Sequence, residues 1–242
     1  MVLSRFRSGH GRGVRGVTTG VLTLSVMAGF SLLTATPALA VTRHNIAIWH
    51  MEETSGPMVD SADSHNGTVT NVTRGVTGSA GNAYKFNGTS SEVVVPSSTA
   101  FNVPSAIFEI SLQVKFSNTP QQLGVDSFDL IRKGLSGGQY WKVEISSTGK
   151  TTCHFTGSSG VADISGAGPI LADGLWHHID CRKESGDLHL NVDAVRVGST
   201  TVTIGTVTNI NVLTLGFKRD PNIADSDFFK GRMDEVQITT FT

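Results

Sequence analysis

Short runs in which apolar and polar residues alternate make up most of the chain after residue 40. In residues 108–116 every second residue is apolar, which places the apolar side chains on one face of a pleated strand. Turn-forming pairs such as Asn66-Gly67 and Asn87-Gly88 separate the runs. The pattern predicts an all-β fold, a two-sheet antiparallel β-sandwich or jelly roll, ordered from near Asn45 to about Thr239. The predicted strands are 46–51, 92–96, 108–116, 129–133, 140–146, 151–155, 176–182, 187–195, 212–218 and 228–239.

The first 40 residues have the pattern of a secretory signal peptide. Four arginines and no acid precede an apolar stretch over residues 17–33, and Ala38-Leu39-Ala40 follows as a small-x-small cleavage site. The prediction is a secreted, extracellular protein whose mature domain is 41–242. The alternative is an uncleaved membrane anchor, but polar and glycine residues interrupt the short apolar stretch.

Composition and charge narrow the classes of partner. The 242 residues contain 19 Lys and Arg and 20 Asp and Glu, a formal charge of −1. Without the four arginines of the leader the mature chain has a formal charge of −5 over 202 residues. Because no basic patch is evident along the sequence, we expect neither nucleic acid nor a membrane surface as partner.

Both cysteines, Cys153 and Cys181, lie in the exported part of the chain. An even pair in an oxidising compartment predicts one disulfide, and two buried free thiols are the alternative. We expect the bond to join neighbouring antiparallel strands within one sheet.

An oxygen-rich loop, residues 60–68, follows the first predicted strand and is a candidate calcium site. Ca²⁺ takes six to eight oxygen ligands, so Asp60 needs a carboxylate from elsewhere, and Asp234 in the final strand is the candidate. The alternative is a plain turn in which Asp60 caps its own backbone.

Catalytic motifs are not apparent. Paired carboxylates on one strand face require acids at i and i+2 or i+4, whereas Asp234-Glu235 and Glu52-Glu53 are adjacent and point apart. Neither a Gly-x-Ser-x-Gly nor a His-Glu-x-x-His sequence occurs. The chain is therefore predicted not to be an enzyme.

Aromatic pairs supply the candidate sugar contact. Tyr140-Trp141 and Phe228-Phe229 each place one ring on each face of a strand, so one ring of each pair belongs to the core. Trp141 is the predicted ligand-binding residue, because an exposed ring can stack on a pyranose.

Seven motifs follow one another along the chain, at 48–53, 58–61, 84–89, 128–134, 171–178, 190–193 and 229–236. In this order they resemble the laminin G-like, concanavalin A-like jelly-roll family and its single-domain secreted bacterial members. The resemblance implies a two-sheet sandwich whose first and last strands pair, and a calcium ion held near Asp60 by the acid of the closing strand, here Asp234. The sequence differs from the family pattern at Ala194, where the family's hairpin usually has glycine.

The functional hypothesis is a secreted, non-enzymatic module that binds an extracellular glycan or polysaccharide, with a structural Ca²⁺. The main alternative is a protein-interaction or cell-envelope structural domain without a sugar ligand. A glycoside hydrolase or lyase is the third hypothesis, which the absence of acids paired on one strand disfavours.

Overall fold

Fifteen β-strands form nearly all the regular structure in the computed structural model, which describes residues 41–104, 107–184, 186–201, 203–222 and 224–241. Two short 3-10 helices, Thr99–Phe101 and Gln121–Leu123, complete it within those ranges. In the described part of the chain no helix is long and apolar enough to cross a membrane. The predicted leader, residues 1–40, lies outside the described residues.

The strands form two antiparallel sheets, which confirms the predicted sandwich. One sheet has the order β13-β12-β11-β6-β15-β4-β3, with β1 also paired to β15, and the other has the order β10-β9-β8-β7-β14-β5-β2. We call them the eight-stranded and the seven-stranded sheet. The strands are β1 Arg43–Trp49, β2 Thr68–Thr70, β3 Thr73–Thr77, β4 Asn82–Asn87, β5 Glu92–Val95, β6 Ile107–Lys115, β7 Ser127–Lys133, β8 Tyr140–Ser146, β9 Thr151–Thr156, β10 Val161–Ala167, β11 His177–Lys183, β12 Asp187–Val192, β13 Val195–Thr201, β14 Leu213–Leu215 and β15 Lys230–Phe241.

All ten predicted runs correspond to strands, and five strands were not predicted: β2, β3, β4, β10 and β13. The core forms between the sheets because alternate residues of each strand face inward. In β8 the side chains of Trp141, Val143 and Ile145 are buried, while the residues between them face outward.

The closing strand β15 organises the eight-stranded sheet. Its first residues pair with β4, its last residues pair with β1, and β6 pairs along its other side. Arg43 lies opposite Phe241, so the predicted pairing of the first and last strands is confirmed. This arrangement covers a sheet edge that would otherwise expose unpaired backbone groups.

The predicted disulfide between Cys153 and Cys181 is present, with 5.9 Å between the Cα atoms. Its expected placement within one sheet is wrong. Cys153 lies on β9 of the seven-stranded sheet and Cys181 on β11 of the eight-stranded sheet, so the bond crosses the core. Both residues face inward and are fully buried, which brings the two sulfurs together between the sheets.

The β12–β13 hairpin turns without the glycine that the family usually has there. Asp193 and Ala194 adopt positive φ angles of 51° and 64°. Two successive positive φ values are the geometry of a tight two-residue turn that matches the twist of antiparallel strands. Ala194 adopts it despite the steric cost of its Cβ.

Candidate functional site

The outer face of the seven-stranded sheet carries a cluster of ionisable side chains. Register places Asp129 of β7 opposite Glu144 of β8, and Arg132 opposite Lys142. Lys142 in turn lies opposite His154 of β9. All five residues alternate with core residues, so they lie on the side of the sheet away from the core.

A buried ion pair lies at the centre of this cluster. Arg132 donates a hydrogen bond from Nε to Oδ2 of Asp129, and both side chains are almost completely buried. The guanidinium of Arg132 also lies 5.1 Å from the centroid of the Tyr140 ring, which stacks on His154. The second oxygen of Asp129, Oδ1, is buried and has no hydrogen-bond partner among the described residues. A buried acceptor without a donor is costly, and such groups often mark functional sites.

Glu144 has a carboxyl group that titrates near physiological pH. Burial raises its pKa to about 7, and the negative charge of Asp129 acts in the same direction. Lys142 forms an ion pair with Glu144 and only partly opposes the shift. Burial and the charge of Asp129 also raise the pKa of Asp227. Carboxyl groups whose pKa values are shifted by burial and a neighbouring charge are often found at functional sites.

A cleft of about 240 Å³ opens beside this cluster, with Arg132 forming part of its wall. Leu135, Ile210 and Val212 give it apolar surface, and Asn211 and Arg219 give it hydrogen-bonding groups. Ile210 is 92% exposed, which is unusual for an isoleucine. The mixture of apolar wall and a few polar groups is typical of small-molecule sites, and the volume suits about one sugar ring.

The loop that carries Ile210 and Asn211 is held in place by hydrogen bonds from Lys133. Its Nζ donates to the carbonyl oxygen of Asn209 at 3.1 Å and to Oδ1 of the same residue at 2.7 Å. The Asn209 side chain donates in turn to the carbonyl of Gln139 at 3.0 Å. Burial lowers the pKa of Lys133 to about 8. These contacts fix one wall of the cleft to strand β7.

Asp60, the first predicted calcium ligand, is saturated by protein donors. Its Oδ1 accepts from the backbone N–H groups of Ile48 and Ala62 at 2.9 Å each, and its Oδ2 accepts from the N–H of His65 at 3.1 Å. Burial acts to raise the pKa of Asp60, but these backbone hydrogen bonds outweigh it and lower the pKa. The residue therefore closes its own loop, as in the plain-turn alternative.

Asp234, the second predicted ligand, is fully buried and holds a different loop. Its Oδ2 accepts from Ser79 N–H at 2.8 Å, Ser79 Oγ at 2.8 Å and Ala80 N–H at 3.1 Å. The two carboxylates share no hydrogen-bond partner, and the described residues contain no group of three or more His, Cys, Asp or Glu that could hold a metal ion. As arranged, Asp60 and Asp234 do not fit a shared cation, because N–H groups already point at their oxygens.

The fold is that of a known superfamily. A sequence profile described as the concanavalin A-like lectin/glucanases superfamily matches residues 87–241. The chain belongs to this superfamily. No curated protein matches it by sequence.

Solved structures of the concanavalin A-like fold resemble this domain at low sequence identity. The binding domain of Paraclostridial Mosquitocidal Protein 1 superposes with a TM-score of 0.66 and 17% identity, over 81% of this chain and 49% of the toxin domain. Domain 4 of an extracellular arabinanase from Geobacillus stearothermophilus, solved with arabinotriose, superposes with a TM-score of 0.61 and 21% identity. The match covers 82% of this chain and 93% of the arabinanase domain. The binding domain of botulinum neurotoxin serotype D superposes with a TM-score of 0.62 and 13% identity, over 81% of this chain and 47% of the neurotoxin domain. The chain thus spans about half the length of the toxin binding domains, and these likenesses establish the fold alone.

Trp141 is not available as a sugar platform in this concanavalin A-like domain, so that prediction is wrong. Its side chain is 0% exposed, and its indole N–H donates to the carbonyl oxygen of Phe101 at 3.0 Å. Of the pair Tyr140-Trp141, the tyrosine is the residue on the outer face. Its ring already contacts His154 and Arg132.

The carboxyl groups of the cluster are the residues that the sequence did not reveal. A sequence shows pairs of acids only within one strand, whereas Asp129 and Glu144 come from the neighbouring strands β7 and β8 and lie opposite each other. Only the register of β7 against β8 shows that they meet. A bulge between Asp129 and Ile131 shifts that register, so spacing along the chain gave no signal.

Proposed function

We propose that the chain is a secreted carbohydrate-binding module and that a sugar occupies the cleft beside Arg132. The observation that carries the proposal is the cleft itself, in which the exposed side chain of Ile210 lies near the polar groups of Asn211 and Arg219. Arg132 forms part of the same wall, and its hydrogen bond to Asp129 holds it there. The structural relatives agree with the proposal, since two are binding domains of toxins and one was solved with arabinotriose.

Recognition would combine apolar contact with a few directed hydrogen bonds. Ile210 and Leu135 offer surface to the C–H face of a sugar ring, and Arg219 and Asn211 offer donors to its hydroxyl oxygens. Arg132 is held in place by Asp129 and Tyr140, so its orientation is fixed before the sugar arrives. Such preorganisation reduces the entropy lost on binding.

The test is a glycan and polysaccharide array, followed by calorimetric titration of any neutral sugar that binds. Ile210→Ser and Arg219→Ala remove exposed groups of the cleft and should each weaken binding about tenfold. Leu175→Ser is the matched control, because Leu175 is also an exposed apolar residue but does not line the cleft. An array without any neutral sugar, or equal losses in Ile210→Ser and Leu175→Ser, would refute this site.

Hydrolysis of a glycan is the second function to test. The carboxyl groups of Glu144 and Asp129 are hydrogen-bonded to each other, which is closer than the separation of about 5–5.5 Å or more between the two acids of a glycosidase. Neither residue lines the cleft, and Asp129 is held by Arg132. Reducing-sugar release from array-positive polysaccharides tests this function, and we expect none. Two of the structural relatives are binding domains, so we place binding first.

Calcium binding by Asp60 and Asp234 remains a separate proposal, and the hydrogen bonds described above do not support it. Calcium-dependent melting of the purified protein tests it directly.

A protein-interaction or envelope role, the other alternative, would be favoured by a glycan array without binding together with a co-purifying protein. Secretion is tested by sequencing the amino terminus of the exported protein, for which we expect residue 41 as the first residue.

A further inference from the structure

Three cations form a row across neighbouring strands on the outer face of the eight-stranded sheet. Arg232 of β15 lies directly opposite Lys85 of β4 on one side and Lys115 of β6 on the other. Lys230 lies two residues from Arg232 on the same face, opposite Asn87. With strands about 4.8 Å apart, the row from Lys85 to Lys115 spans about 10 Å. We call these four residues the basic row.

The basic row has no acidic counterpart. In the described ranges none of its members forms an ion pair, and Arg232 donates only to the carbonyl oxygen of Thr77, at 2.9 Å. The nearest acid along β15 is Asp234, which is buried and saturated by the Ser79–Ala80 loop. Like charges directly opposite each other destabilise a sheet. The row is therefore unfavourable for the fold alone, in a mature chain whose formal charge is −5.

A groove of about 440 Å³ runs along the basic row. Ser117, Asn118 and Asn87 add hydrogen-bonding groups to its walls, and Lys85 and Lys230 are exposed. A Cβ atom added at Gly231 would lie 2.7 Å from the carbonyl oxygen of Lys115. Strands β15 and β6 therefore approach each other closely at the groove floor. The groove thus presents fixed positive charge together with neutral groups suited to hydroxyls. The expectation from sequence that no basic patch exists is wrong, because the four residues come from three separate strands.

We propose that this groove binds an acidic polysaccharide, with the carboxylate or sulfate groups of the glycan on the basic row. A repeating anion fits charges fixed at strand spacing, and the neighbouring amides and hydroxyl can read sugar hydroxyls. Single-stranded nucleic acid fits less well, because Phe86 and Phe116 in the groove wall are buried and offer no stacking platform. A membrane surface also fits less well, since none of the large exposed apolar residues lines this groove.

This site goes beyond the neutral-sugar cleft and lies on the other sheet. The experiment titrates the purified protein with two pairs of matched probes, dextran sulfate against dextran and polygalacturonate against its methyl ester. We expect saturable binding to the charged member of at least one pair and none to its neutral partner. The double variant Lys85→Gln/Lys115→Gln should weaken that binding at least tenfold and reduce its dependence on salt.

The matched control is Lys150→Gln/Arg196→Gln, which changes the net charge equally but lies outside the groove. The control should bind like the unmodified protein, and the groove variant should melt at the same temperature or higher because repulsion is relieved. Equal losses in both variants, or no polyanion binding, would overturn the proposal. Tighter binding of single-stranded DNA or anionic vesicles than of either glycan would also overturn it. The cleft variants Ile210→Ser and Arg219→Ala should leave polyanion binding unchanged, which separates this site from the proposed function.

Discussion

Glu144→Gln should make the protein more stable at alkaline pH, because the buried carboxylate is costly when charged. The pKa of Glu144 rises from 4.5 to about 7 in the folded protein. At about 1.4 kcal/mol per unit, the charged form costs at most about 3 kcal/mol of folding free energy. The cost is absent below pH 4.5, grows between pH 4.5 and 7, and is constant above that range.

Urea unfolding at pH 5, 6, 7 and 8 measures the effect as the difference in unfolding free energy between Glu144→Gln and the unmodified protein. The Lys142 contact is already included in this comparison, because it favours the charged carboxylate and so lowers the pKa of Glu144. From pH 5 to 8 the difference should shift by about 2–3 kcal/mol in favour of the variant. Asp126→Asn removes an exposed negative charge and controls for net charge. Parallel pH profiles for the unmodified protein and Glu144→Gln would refute the electrostatic account of the cluster.

Three further predictions concern single contacts. Asp234→Ala should lower the unfolding free energy by about 3 kcal/mol in EDTA as well as in Ca²⁺, because it orphans buried donors of the loop it holds; a loss confined to Ca²⁺ would instead favour a metal role. Burial acts to lower the pKa of His177, but Asp193 and Asp173 outweigh it and raise the pKa above 6.5. Its contacts therefore stabilise the fold fully below pH 6.5, the ordinary pKa of histidine, and less as pH rises through the raised pKa of the folded protein. An NMR titration should show the pKa of His177 falling in Asp193→Asn. Ala194→Gly should raise the unfolding free energy by about 1 kcal/mol, since glycine adopts φ 64° without strain; chemical denaturation with no gain would contradict the strain.

Most of the fold could be predicted because inward-facing strands alternate strongly. β6 alternates over its whole length and was predicted within one residue at each end. The missed strands have weak patterns for physical reasons. β3 and β13 are edge strands with mostly exposed or half-buried residues, and β10 contains glycine and alanine instead of large apolar residues. Edge strands bury little surface, so sequence patterns record them poorly.

The candidate sites could not be predicted because they depend on pairing between strands. Alternation showed that one ring of Tyr140-Trp141 is in the core but not which one, since a shift of one residue exchanges the two faces. The same holds for the acids of the cluster and for the basic row. Asp129 meets Glu144, and Arg232 meets Lys85 and Lys115, only through cross-strand register. Side chains that are brought together from several strands of a sheet leave no local motif in the sequence.

The long closing strand also determines how the protein can be attached to a surface. β15 begins at Lys230 beside the basic groove and ends at Phe241, which lies opposite Arg43. At roughly 3.3 Å per residue, the paired ends lie on the order of 35 Å along the strand from the groove. A linker at either end therefore leaves from the same corner of the sandwich. Immobilisation through residue 43 or residue 241 should keep the groove open, so the same coupling serves a biosensor from either end.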